Sequence, residues 1–78
     1  ANDTAYGLSA GICTSSHKHA NHFRQHVKSG LAMINLPTAG LDYHVPFGGT
    51  RASSYGQREQ GTYAVDFYTN SKTAYVGY

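Results

Sequence analysis

Two short apolar runs flank the one stretch of this chain that has a helical period. Leu8 to Thr14 (LSAGICT) and Leu31 to Leu36 (LAMINL) show neither helical spacing nor strict alternation. Their length, their isoleucines (Ile12, Ile34) and the glycine or proline around them predict buried strands. Between the two, Thr14, Ser15 and Ser16 are candidate N-caps. Nothing breaks a helix before Lys28, and Gly30 is placed to end it. At 100° per residue, Ala20, Phe23 and Val27 share an arc of about 60° and form the core-facing stripe. His17, Asn21, Arg24 and Lys28 form the solvated flank. Strand, helix, strand with a crossover of about fifteen residues is a βαβ pattern, which implies a parallel pair with a right-handed connection. Two parallel strands do not make a complete object, because such sheets are normally covered on both faces and contain more strands.

The pattern then lapses. Asn35 to Gly61 has no sustained period and holds both prolines and most of the glycines. A loop of this length is uncommon in a compact domain and is usually functional or out of its context. Arg58 to Tyr68 predicts a second helix, with Tyr63, Ala64, Phe67 and Tyr68 on one broad side and Glu59 suited to the N-terminal dipole. Gly61 weakens that helix by about 1 kcal/mol relative to alanine. Ser71 to Tyr78 alternates with a period of two and predicts a strand, either a protected edge or an arm that pairs with another chain.

Composition narrows the classes. Seventy-eight residues, 40% hydrophobic with seven tyrosines and no tryptophan, support at most one small domain with a thin core. Charged residues are 13% of the chain, about half the usual ~25%. The net charge of +2 comes without any run of Lys and Arg, so a nucleic-acid partner is not expected. A single cysteine excludes an internal disulfide framework and fits a reducing compartment. No apolar run approaches the ~20 residues that span a membrane. The expectation is a soluble, cytoplasmic chain with no membrane partner.

Candidate chemistry is sparse. His19, His22 and His26 lie close together on the helix wheel, and His22 and His26 could share a metal ion. No acid or thiol on that helix completes a ligand set, so the polar border of the stripe is the favoured reading and no metal is expected. Cys13, at the end of an apolar strand, is expected to be buried and structural rather than a nucleophile. Asp42, Tyr43 and His44 with Ser53 or Ser54 contain the letters of a triad without a nucleophile elbow. The glycine-rich FGGTRASSYG carries neither phosphate-binding spacing.

Taken in order, NDTAYGLSAGI, the helix, the apolar strand ending in Asn35, PFGG, REQG and YTNSKTAYV resemble the C-terminal segment of the aldehyde dehydrogenase superfamily. The resemblance runs over essentially the whole chain. The family pattern after PFGG continues with Lys, Ser and Gly, where this chain has Arg51 and Ser53-Ser54. The wording NLPTAGLDYHVPFGG is most similar to the branch that oxidises α-ketoglutaric semialdehyde. The resemblance implies an α/β fold, a fragment of a Rossmann-like catalytic domain over residues 1–70, followed by an oligomerisation strand at 71–78. It implies an NAD(P)-dependent parent that oxidises an aldehyde to a carboxylic acid. Asn35, Tyr43, His44 and Phe47 would line the substrate tunnel, and residues 71–78 would contact another subunit of a homo-oligomer. Arg51 could meet an anionic group or serve the structure. The nucleophilic cysteine, the general-base glutamate and the coenzyme domain lie upstream in such enzymes. The chain would therefore bind no NAD or NADP and be inactive by itself. The alternative is a free-standing module without enzymatic activity that exchanges its terminal strand with a partner.

Overall fold

The structure is a computed structural model and describes residues 1–77. The predicted βαβ unit is present. A strand at Ser9–Ile12 (here β2) pairs in parallel with one at Leu31–Ile34 (β3), Ser9 opposite Leu31 and Ile12 opposite Ile34. The helix between them, α1, spans His17–His26. Of the three candidate caps Ser16 is the one used. Its backbone is extended, and its hydroxyl accepts the His19 amide at 3.2 Å, satisfying a donor that has no partner inside the helix. Ala20, Phe23 and Val27 are half-buried while the rest of α1 is exposed, as the stripe predicts.

Two ends differ from expectation. The helix stops at Val27, whose ψ of 137° turns the chain into extended backbone before Gly30 is reached. Gly30 instead donates its amide to the Gly7 carbonyl at 2.9 Å. A Cβ there would collide with the Gly48 carbonyl, so three segments of backbone meet where only glycine fits.

A second ladder joins parts far apart in sequence. Tyr6–Gly7 (β1) pairs antiparallel with Thr50–Arg51 (β4), and Phe47 forms an isolated bridge with Glu59 through bonds of 2.8 and 2.7 Å. The stretch from Asn35 to Gly61 is therefore not structureless. It is anchored at several points along its length. Ser9 Oγ donates to the Thr38 carbonyl at 3.0 Å, and the backbone at Gly61 passes so close to His44 that a Cβ would lie 2.5 Å from its carbonyl oxygen.

The second helix, α2, is Tyr63–Tyr68 rather than Arg58–Tyr68. Gln60 and Gly61 both have left-handed backbone (φ 67° and 57°), which a right-handed helix cannot include, and Glu59 is committed to Phe47. Residues 71–77 form no strand in the described structure, and all of them are exposed. The alternation is there, but a strand needs a partner to bond with, and among the described residues 71–77 join no ladder; Tyr78 lies outside the described residues.

Met33 is the sole buried hydrophobic side chain among the described residues, while Tyr6, Leu36, Tyr63, Val65, Phe67 and Tyr68 are exposed. The overall extent of 66 × 25 × 21 Å fits an elongated piece rather than a closed domain. No helix in the described residues is long and apolar enough to cross a membrane.

Candidate functional site

The end of β3 fixes where the loop begins. Asn35 has a left-handed φ of 56°, which asparagine tolerates better than most residues. Its amide donates to the Ile12 carbonyl at 2.9 Å. Its side chain grips Thr14 from both directions, Oδ1 accepting the Thr14 amide at 2.8 Å and Nδ2 donating to the Thr14 carbonyl at 2.9 Å. The side-chain amide is thus committed to the turn between β2 and α1.

From this anchor the loop folds over β3. Met33, Leu36, Pro37, Ala39, Leu41 and Val45 line a shallow cup of about 270 Å³, with Gly40 and Asp42 completing it. The cup is mostly apolar and open to solvent, suited to packing carbon chains or aromatic surface but without a fixed set of polar groups. Tyr43 and His44 stand beside it as an edge-to-face pair, ring centroids 5.5 Å apart, both exposed.

The four sequence-predicted residues are therefore not a single cluster. Tyr43 and His44 come together. Asn35 faces a separate hollow lined by Thr14, Ser16 and His17. Phe47 is half-buried at its bridge with Glu59. The cup-lining residues Met33, Leu36 and Leu41 were missed by sequence reasoning; their only signal was apolar character on either side of Pro37.

The remaining candidates resolve into structural roles. Ser53 Oγ accepts the Gly7 amide at 2.9 Å and Ser54 Oγ the Gly49 amide at 2.8 Å, so neither serine is paired with His44 as a nucleophile would be. Arg51 donates to the carbonyls of Asn2 and Thr4 at 2.5 and 2.6 Å, and Arg58 to that of Gly49 at 2.7 Å. His22 and His26 stack at 4.2 Å with His26 Nδ1 turned to the His22 carbonyl, and the described residues contain no cluster of three metal-binding side chains. Cys13 is exposed, contrary to expectation, because the ladder ends at Ile12 and the chain turns outward there.

The βα turn is where a dinucleotide's phosphates would rest if this unit bound one. Here the turn is Cys13-Thr14-Ser15-Ser16, without glycine; the Thr14 amide donates to Asn35 Oδ1 and the Ser16 amide to Thr14 Oγ1 at 3.0 Å, and beyond the turn the His19 amide donates to Ser16 Oγ. That turn therefore lacks the glycine-rich geometry of a phosphate-binding loop.

Comparison with known proteins agrees with this picture of an anchored piece. The Aldehyde dehydrogenase family pattern matches residues 1–74. The α-ketoglutarate semialdehyde dehydrogenase of Haloferax volcanii is 52% identical over 79 residues, which cover all of this chain and 16% of that protein. The α-ketoglutaric semialdehyde dehydrogenase of Bacillus subtilis is 43% identical over 76 residues, 97% of this chain and 16% of that protein. Among solved structures, an NAD+ complex of aldehyde dehydrogenase from Bacillus cereus superposes with a TM-score of 0.77 at 35% identity, covering 88% of this chain and 14% of that one. The chain thus spans 16% of the length of the curated relatives it matches. With an α/β fragment, its βαβ unit and the family pattern running over nearly all of its length, the chain belongs to the aldehyde dehydrogenase family.

Proposed function

We propose that this chain is the C-terminal portion of an NAD(P)-dependent aldehyde dehydrogenase that oxidises α-ketoglutarate semialdehyde to the carboxylic acid. The observation that carries the proposal is the 52% identity, over the full chain, to an enzyme of that name. In this reading residues 1–70 are part of the catalytic domain. The loop after Asn35 supplies one wall of the substrate tunnel, with the apolar cup and the Tyr43–His44 pair facing the aldehyde and Phe47 holding the far side of the loop. Residues 71–78 pair with another subunit of a homo-oligomer, which accounts for a terminal segment that is alternating in sequence yet has no ladder partner within 71–77. NAD or NADP is held by other parts of the whole enzyme, in the cytoplasm. The chain alone is inactive in this reading, because the nucleophilic cysteine and the general base belong to other parts of the whole enzyme and Cys13 is an exposed residue at a strand end beside Ile12.

The test is a hybrid in which this chain replaces the matching segment of a full-length α-ketoglutarate semialdehyde dehydrogenase. The hybrid is expected to oxidise that aldehyde with NAD or NADP, and the isolated chain to show no turnover. Turnover by the isolated chain, or a folded hybrid that oxidises no aldehyde, refutes the proposal.

A further inference from the structure

The loop that builds the cup has an unusual charge inventory. Between Lys28 and Arg51 there is no lysine or arginine, and the one formal charge is Asp42, an exposed residue that lines the cup with Met33, Leu36, Leu41 and Val45. The arginines that follow are occupied, Arg51 by the carbonyls of Asn2 and Thr4 and Arg58 by that of Gly49. A carboxylate entering the cup would meet apolar side chains and one like charge, and no lysine or arginine is among the residues that line it. Like charges repel more strongly beside apolar walls than in bulk water, because the surroundings screen them less.

From this we infer that Asp42 is a specificity-determining residue, which discriminates against negative charge on the part of the aldehyde that lies in the cup. The inference rests on the cup being a substrate wall, as proposed above. Its consequence is directional. An acidic semialdehyde binds with its carboxylate turned away from this wall, and the cation that recognises the carboxylate belongs to residues outside this chain. A neutral aldehyde of similar length meets no penalty at Asp42.

The test uses the hybrid enzyme with Asp42→Asn and Asp42→Lys, comparing α-ketoglutarate semialdehyde with the neutral aldehyde pentanal. At low ionic strength the ratio of kcat/KM for the acidic over the neutral substrate should rise by about three- to tenfold in Asp42→Asn and further in Asp42→Lys, chiefly through KM. Added salt should shrink the difference, as screening requires. An active hybrid whose ratio is unchanged in both variants overturns this inference alone. A folded hybrid that oxidises neither aldehyde overturns the reading beneath it, and this inference with it.

Discussion

Asn35 holds Thr14 by both of its backbone groups, at 2.8 and 2.9 Å, tying the start of the long loop to the turn that leads into α1. At the other end of the helix Asn2 makes the same kind of grip, accepting the Lys28 amide at 2.8 Å and donating to the His26 carbonyl at 2.9 Å. One asparagine therefore fixes each end of the crossover. Asn35→Asp keeps the acceptor but sets a carboxylate oxygen against the Thr14 carbonyl. Asn35→Gly eases the left-handed backbone but loses both bonds. Each variant should cost the hybrid enzyme about 1–2 kcal/mol, read by urea denaturation, with faster hydrogen exchange at the Thr14 amide. Unchanged exchange at Thr14 would show that the grip does not hold the turn.

With Met33 as the one buried apolar side chain described, the isolated chain has little to hold it in a single packed state. Heating or urea should give a broad, shallow loss of circular dichroism and no calorimetric peak. A sharp two-state transition would mean that the segment is a self-sufficient domain.

Gly30 and Gly40 should separate close packing from backbone strain. A methyl at Gly30 runs into the backbone of Gly48, whereas one at Gly40 meets nothing within 4 Å and faces only its left-handed φ of 81°. In the hybrid, Gly30→Ala should cost about 3 kcal/mol or more and Gly40→Ala about 1–2 kcal/mol, measured as the difference in denaturation midpoint. Equal effects would contradict the three-segment contact.

Trypsin should cut the isolated chain first at Lys72, in the exposed segment that follows α2. In the oligomeric hybrid the same bond should be protected. Equal cleavage rates in the two would argue against residues 71–78 as the subunit contact.

The βαβ unit was legible because its signals are local: Ser16 beside the helix start, a stripe at Ala20, Phe23 and Val27, and two apolar runs. The β1–β4 ladder was not, since two strands of two residues each leave no periodicity and meet across more than forty positions of chain. The start of α2 was misread because Gln60, an ordinary helix former, is held left-handed by its place after the Phe47–Glu59 bridge. Asn35, Tyr43, His44 and Phe47 could be named from resemblance, but their separation could not. It depends on where Asn35 spends its hydrogen bonds. The apolar cup was hidden for a different reason: Met33 belongs to a strand and the rest of its lining to the loop, so no single stretch of sequence displays it.

Gly7 is buried, donates its amide to Ser53 Oγ, and accepts at its carbonyl from the Gly30 amide and, at 3.4 Å, from Thr50 Oγ1, which also reaches the Lys28 carbonyl. Positions 7, 30, 50 and 53 are therefore one hydrogen-bonded, closely packed unit. A side chain at position 7 would collide with the Thr50 hydroxyl, so a substitution there requires Thr50 to move or be replaced as well.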